Sequence, residues 1–165
     1  MFRFIMLTRK NDAMLDFDFD VVKEQTKDNP VFYVQYAHAR AKSVLRHAEK
    51  DFAESFALAK APTSEVLGLL SAPEELTLLK VMGSWPRIIE AAAHAAEPHR
   101  IAFYLADLAA QFHSLWNQGN SNLTLRFLQN DAIEETAAKI AMVQAFAATI
   151  ASGLHTLGVE PLEEL

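Results

Sequence analysis

The 165-residue sequence predicts an all-α protein, a helical bundle with a short extended linker at its N-terminal end. Five glycines in the whole chain, with abundant Ala and Leu, favour helices over a sheet. Apolar residues recur every three or four positions over several long segments, and the connections between those segments are short. We expect residues 1–28 to form the linker and residues 29–165 to form one helical domain with a single core.

The N-terminal 28 residues contain two apolar patterns. Residues 2–7 are apolar and have no partner nearby in sequence, so we expect side chains such as Phe2, Phe4 and Ile5 to be exposed. In residues 15–20, Leu and Phe alternate with Asp, which predicts an extended segment with one apolar side. A metal or acid–base site is one interpretation of the three carboxylates, but hard-metal loops add Gly and further oxygen ligands that do not follow here. A docked linker with solvated acids is the interpretation we favour.

The first long helix is predicted to begin at Asn29, which can cap it, with Pro30 in its first turn. A core stripe follows at helical spacing: Val31, Val34, Ala37, Ala41, Val44 and Ala48. Helical order is expected to fall over residues 51–63 and to end at Pro62.

Four further helices follow from caps and periodicity. Ser71 is the expected cap of a helix that ends near Met82, and Trp85 begins the next one. Pro98 opens a helix that is expected to end near Asn117. Its core stripe is Ile101, Leu105, Leu108, Phe112 and Leu115. The last helix, stopped by Gly158 and Pro161, has an apolar stripe at Ile133, Ala137, Ile140, Val143, Ala147, Ile150, Leu154 and Leu157.

A second stripe on the first long helix combines aromatic, cationic and polar side chains: Tyr33, Tyr36, Arg40, Ser43 and His47. The same helix has Arg40, Lys42, Arg46 and Lys50 against Glu49 alone. Aromatic rings beside arginine suit the unstacked bases and phosphates of single-stranded RNA. The alternative is that the tyrosines are half-buried with their hydroxyls in water, and that the cations only solvate the helix.

Composition narrows the functional classes. The net charge of −6 argues against indiscriminate nucleic-acid binding, and we expect no DNA partner. The charges are unevenly distributed. Residues 1–60 contain ten Lys or Arg and nine Asp or Glu, whereas residues 61–165 contain five Lys or Arg and twelve Asp or Glu. The absence of cysteine excludes disulfides and thiolate metal sites. No apolar run approaches the roughly 20 residues of a membrane span, and the first residues do not resemble a signal peptide, so a cytoplasmic protein without a membrane partner is expected.

No pattern in the sequence predicts a catalytic centre or a metal site. None of the six histidines has a glutamate three residues before it or lies in an H-E-x-x-H pattern. Glu90 and His94 share a helix face, but a lone pair flanked by alanines is more often solvated. There is no glycine-rich phosphate loop and no G-x-S-x-G motif.

Four separated segments resemble the arginyl-tRNA synthetase family, and together they extend over nearly the whole chain. They are RFIMLTRKNDAMLDFDFD (residues 3–20), VFYVQYAHARAKSVLRHA (31–48), EPHRIAFYLADLAAQFHSLWN (97–117) and SGLHTLGVEPLEEL (152–165). The second resembles the opening of the anticodon-binding domain. The resemblance implies a helical bundle of the class I synthetase anticodon-binding type, joined by residues 1–28 to a catalytic domain.

The resemblance also implies a function. The domain would hold arginine tRNA by its anticodon loop, so that the catalytic domain of the same enzyme reaches the acceptor end. Such enzymes use ATP with Mg²⁺ in a catalytic domain with HIGH and KMSK-like motifs, and neither motif is present here. This chain would therefore be a fragment of an arginine–tRNA ligase, without a cofactor of its own and inactive alone. The alternative is a helical protein-interaction or regulatory domain that no longer binds RNA. The acidic second half and a degenerate D-A-L-R stretch, DAIEETAAKIAMV from Asp131, favour that alternative.

The RNA-binding residues that we predict combine the second stripe with the resemblance: Tyr36, Arg40, Ser43, His113, Trp116, Asn117 and Leu165. Tyr36 and Arg40 lie in the Q-Y-A-H-x-R segment, which resembles the family's wall of the anticodon-loop site, and Trp116 lies where relatives present an aromatic residue. Leu165 ends a segment that resembles the family's terminal segment, which closes on the same loop. Tyr36 and Trp116 would stack splayed bases, and Arg40 would bond a base edge or a phosphate. Alternatively, Trp116 anchors the end of the bundle and Arg40 forms a surface salt bridge.

Overall fold

The computed structural model describes residues 2–8 and 29–165, apart from the side chain of Phe2. In this part of the chain the regular structure is helical, without a strand. The helices are α1 (Phe2–Met6), α2 (Pro30–Asp51), α3 (Ala53–Ala59), α4 (Ser64–Leu67), α5 (Pro73–Gly83), α6 (Trp85–Ala95), α7 (His99–Ser121) and α8 (Ile133–Thr156). A short 3₁₀ helix, Leu123–Leu125, lies between α7 and α8. The prediction of an all-α bundle is confirmed.

Helix α2 begins as its sequence predicts. The Oδ1 atom of Asn29 accepts hydrogen bonds from the backbone amides of Val31 (3.1 Å) and Phe32 (3.4 Å), which satisfies two of the free N–H groups at the helix start. Pro30 occupies the first turn, where no N–H is required. All six residues of the predicted core stripe of α2 are buried.

Helix α8 lies at the centre of the bundle and contacts α2, α3, α4, α5 and α7. Phe146 on α8 stacks on Phe112 of α7, with ring centroids 4.1 Å apart. Gly153 allows α7 and α8 to approach closely, because a Cβ atom at this position would lie 2.5 Å from Leu105 Cδ2. At the end of α8, Gly158 adopts a φ of +67°, a left-handed conformation that favours glycine and turns the chain back toward α2.

The expectation that no apolar segment reaches the length of a membrane span is wrong for α8. Helix α8 has 24 residues and its most apolar 18-residue window has a mean hydropathy of 1.4, so it is long and apolar enough by length and composition alone. However, 61% of its most apolar window is buried inside the bundle, as is usual for the central helix of a globular domain.

Several predicted helix boundaries differ from those of the structure. Helix α3 lies within the 51–63 segment, where helical order was expected to fall. Ala72 rather than Ser71 precedes α5, and Glu75 reaches back to accept its amide hydrogen bond at 3.1 Å. Helix α7 continues past Asn117 to Ser121, because its last turn packs against the returning chain at Gly119. At the start of α8, Ile133 is exposed rather than buried.

The N-terminal residues are also less exposed than the sequence predicts. Phe4 is fully buried in the core that the other helices share, and Ile5 and Leu7 are partly buried against it. Arg3 adds a 3.5 Å hydrogen bond from Nη1 to the carbonyl oxygen of Gly158. Residues 2–8 therefore pack on the domain. The alternating segment of residues 15–20 and most of the predicted linker lie outside the described residues, so the boundary at residue 28 stays a prediction.

Candidate nucleic-acid interface

The second stripe of α2 faces α7 across the edge of the core. The two core stripes pack against each other, so that the positions beside them on each helix also meet. The ring of His113 on α7 lies 4.6 Å from the ring of Tyr33 and 5.6 Å from that of Tyr36, measured between centroids. The packing of the core thus brings together two sets of residues that are about 75 positions apart in sequence.

Arg40 lies between two aromatic rings at this edge. Its guanidinium carbon is 4.4 Å from the ring centroid of Tyr36 and 4.8 Å from that of Trp116, which makes two cation–π contacts. Its Nη2 atom donates to the hydroxyl of Tyr36, and its Nη1 atom lies 3.1 Å from Nδ1 of His113. In the described part of the chain no carboxylate lies within ion-pairing distance of Arg40, so the alternative of a surface salt bridge is not what the structure has.

The contacts of His113 define its protonation. Because a guanidinium can only donate, Nδ1 of His113 accepts from Arg40, and Nε2–H is left to donate to the backbone oxygen of Tyr33 at 3.4 Å. Burial lowers the pKa of His113, the charge of Arg40 lowers it further, and the hydrogen bond to Tyr33 opposes both. His113 is therefore a neutral hydrogen-bond acceptor that positions Arg40, and the side chain of His113 is itself buried.

A cavity of about 430 Å³ opens above Arg40, and we call it the α2–α7 cavity. It is lined by Tyr36, Ala39, Arg40, Ser43, Arg46, Trp116, Glu164 and Leu165. Five of the seven predicted residues are in that lining, and His113 lies beneath it. The side chain of Asn117 is exposed on α7 and does not line the cavity.

The segment of residues 159–165 reaches the cavity because two buried polar side chains of α2 hold it. Gln35 donates to the carbonyl oxygen of Glu160 (2.7 Å) and accepts from the amide of Leu162 (2.8 Å). The Nδ1 atom of His38 lies 2.7 Å from the carbonyl oxygen of Leu162, to which it donates. The sequence analysis did not identify Gln35 and His38. They are three residues apart and directly follow the core residues Val34 and Ala37, which was a usable signal that both side chains lie at the edge of the core.

The acidic residues of this segment neutralise part of the basic face of α2. Lys42 Nζ lies 3.1 Å from Glu163 Oε2, and Arg46 Nη2 lies 3.6 Å from Glu164 Oε1. Arg46 also donates from Nη1 to the carbonyl oxygen of Glu163 at 3.1 Å. Tyr36, Arg40 and Trp116 thus converge on a concave surface, as RNA binding requires, but a carboxylate stands in its wall.

Trp116 is held from behind by the chain that follows α7. Its ring contacts that of Phe127, with centroids 6.1 Å apart, and a smaller, mostly apolar cavity of about 210 Å³ lies on that side. One side of the Trp116 indole packs on the protein, as the interpretation of Trp116 as an anchor of the bundle end requires. The other side faces Arg40 and the α2–α7 cavity.

A buried ion pair fixes the segment behind Trp116. Lys139 and Glu75 are 5% and 3% exposed, and their charged atoms are 3.5 Å apart. Lys139 also donates to the carbonyl oxygens of Thr124 and Arg126, the latter at 3.2 Å. Burial lowers the pKa of Lys139, and Glu75 opposes that shift. The degenerate D-A-L-R stretch thus supplies one partner of a buried ion pair, Lys139, and α5 supplies the other, Glu75.

Solved structures identify the class of protein to which this fold belongs. The chain superposes on part of the arginyl-tRNA synthetase of Thermus thermophilus with a TM-score of 0.74 and 27% sequence identity, over 99% of this chain and 26% of that one. The fold is therefore that of a helical domain of an aminoacyl-tRNA synthetase.

The family is shown by sequence. The DALR anticodon binding domain family matches residues 34–165, and this chain belongs to that family. An arginine–tRNA ligase of Rhodospirillum rubrum is 56% identical over 165 residues, and one of Wolbachia pipientis wMel is 53% identical over 163. These alignments cover 99% of this chain but only 28% and 27% of the two relatives, so the chain spans somewhat more than a quarter of their length. The predicted family is confirmed.

Proposed function

We propose that this chain is the part of an arginine–tRNA ligase that binds the anticodon loop of arginine tRNA and so positions the acceptor end for aminoacylation elsewhere in the longer protein. The observation that carries the proposal is the convergence of Tyr36, Arg40, Ser43, Trp116 and Leu165 on one cavity. The family and its arginine–tRNA ligase relatives support the same function. The alternative of a protein-interaction domain that has lost RNA binding has no support from them.

Binding in the α2–α7 cavity would begin with a rearrangement of Arg40. Its guanidinium covers one face of Tyr36 and one face of Trp116, which are the faces that a splayed base would use. A base that enters displaces the guanidinium toward a base edge or a phosphate, where the charge-assisted hydrogen bonds are stronger than the cation–π contacts that it leaves, at about 0.5–1 kcal/mol each. His113 stays beneath and limits how far Arg40 moves.

The proposal assigns no bond chemistry to this chain. ATP and Mg²⁺ would act in the remaining part of the longer, cytoplasmic enzyme, whose catalytic domain is the second proposed partner. Neither DNA nor a membrane is included as a partner.

The test is binding of the 165-residue chain to a hairpin RNA with an arginine anticodon loop, compared with the same hairpin with a permuted loop. We expect a preference for the first, and a loss of about 1–3 kcal/mol in Tyr36→Ala, Arg40→Ala and Trp116→Ala. Matched controls are Phe103→Ala, an exposed aromatic residue on α7, and Arg87→Ala, an exposed cation on α6. Both should bind like the unaltered chain. Equal binding to the two hairpins by the unaltered chain would contradict the proposal.

A further inference from the structure

The 159–165 segment is held in two physically different ways along its length. Up to Leu162 it is fixed by hydrogen bonds to Gln35 and His38, which are 6% and 2% exposed. Beyond Leu162 its side chains are held by the ion pairs of Glu163 and Glu164. The first part is a buried anchor that does not depend on charge. The second part is held by the two ion pairs and by the hydrogen bond from Arg46 to the backbone oxygen of Glu163, so the positions of its two carboxylates depend on charge.

The ion pairs of the second part lie in solvent. The side chains of Lys42 and Glu163 are 33% and 59% exposed, and those of Arg46 and Glu164 are 46% and 79% exposed. Exposed pairs contribute little to stability and weaken further with salt. The carboxylates of Glu163 and Glu164 are therefore easily exchanged for another anion while the anchor at Gln35 and His38 stays in place.

The two cations are placed where an RNA backbone would pass. Lys42 and Arg46 are one helical turn apart on α2, and Arg46 lies in the wall of the α2–α7 cavity beside Ser43 and Arg40. A strand that inserts a base against Tyr36 or Trp116 must bring its phosphates to the rim of that cavity. The cations at this rim are the ones that Glu163 and Glu164 hold.

We infer that Lys42 and Arg46 form a phosphate subsite for the bound RNA strand, and that Glu163 and Glu164 occupy it in the free protein as exchangeable carboxylate stand-ins. This inference rests on the proposed function, which supplies the RNA strand. Phosphate contacts position a strand without reading its sequence, so the subsite adds affinity for any loop and leaves the choice of anticodon to the bases. The two carboxylates reduce that affinity, because each cation must give up an ion pair before it binds a phosphate.

The test compares Glu163→Gln/Glu164→Gln with the unaltered chain on both hairpins. At about 50 mM salt the variant should bind the permuted and the anticodon hairpin about 3- to 10-fold more tightly, and the gain should shrink as salt screens the charges. The matched control is Glu90→Gln/Glu160→Gln, which changes the net charge equally at two exposed positions whose ion pairs are to His94 and His155. A second pair of variants, Lys42→Gln/Arg46→Gln with and without the Glu163 and Glu164 changes, should lose more affinity when the carboxylates are absent.

The outcomes separate this inference from the proposed function. If both glutamine pairs raise affinity equally, the effect is one of net charge, and the subsite inference is wrong. If Glu163→Gln/Glu164→Gln weakens binding, the two carboxylates brace the site rather than compete for it, which also overturns the inference. A gain on both hairpins without a preference between them would uphold the phosphate subsite and overturn anticodon recognition. A preference for the anticodon hairpin without a gain in affinity from Glu163→Gln/Glu164→Gln would uphold anticodon recognition and overturn the phosphate subsite. Circular dichroism of each variant should show the same helical content.

Discussion

The buried pair of Lys139 and Glu75 gives the sharpest prediction about stability. Replacing Lys139 by Met keeps the aliphatic length of the side chain and removes its charge and three donors. Glu75 is then left 3% exposed without its cation, and the carbonyl oxygens of Thr124 and Arg126 lose a donor. Breaking a buried ion pair on one side costs about 3–5 kcal/mol. Since domains of this kind are stable by about 5–15 kcal/mol, much of the free energy of unfolding would be lost.

Urea denaturation followed by circular dichroism measures this free energy of unfolding. Lys80→Met is the matched control, because Lys80 is exposed on the same helix as Glu75, and it should be nearly neutral. Glu75→Gln should rescue Lys139→Met in part, since an uncharged amide at position 75 can still accept from the amide of Ala72. The rescue is the decisive comparison. If the double variant is no more stable than Lys139→Met alone, the cost does not come from an uncompensated buried charge.

The same variant has a functional consequence. Lys139 holds the chain around Leu125 and Phe127 against the back of Trp116, so we expect Lys139→Met also to weaken RNA binding under conditions where the protein is still folded. Unchanged affinity in folded protein would show that Trp116 does not depend on this support.

Two further predictions concern the pH dependence and the packing of the bundle. The pKa of His113 is lowered in the folded protein, so its neutral form adds stability that is complete above the ordinary value of 6.5 and is lost as the pH falls through the lower folded pKa. His113→Phe should flatten this part of the pH profile of the free energy of unfolding, and an unchanged slope would refute the assignment. Gly153→Ala should destabilise the domain by about 1–3 kcal/mol in thermal unfolding, because the added Cβ meets Leu105. Gly83→Ala, with no atom near its Cβ position, should be neutral or slightly stabilising, and equal losses in both would contradict the close contact of α7 and α8.

Local sequence patterns correctly predicted a helix cap, two core stripes and a helix end. The cap at Asn29, the core stripes of α2 and α7 and the stop at Gly158 follow from interactions within one or two turns, so the residues concerned report directly on the structure they adopt. One error was local, since the cap of α5 is displaced by one residue, but two others arose where a partner distant in sequence decides the outcome. Phe4 is buried because helices far along the chain cover it, and α7 extends to Ser121 because the chain returns to pack on Gly119.

The sequence by itself determined the all-α class, the family and the chemical types of side chain that one face of α2 offers. Only the tertiary structure decided what those side chains do: Arg40 lies between two rings, His113 is buried beneath it, and Glu163 and Glu164 pair with Lys42 and Arg46. The physical reason is that helical periodicity depends on neighbours in sequence. The cavity depends instead on how α2 meets α7, and on where two buried hydrogen-bonding residues anchor the last seven residues of the chain.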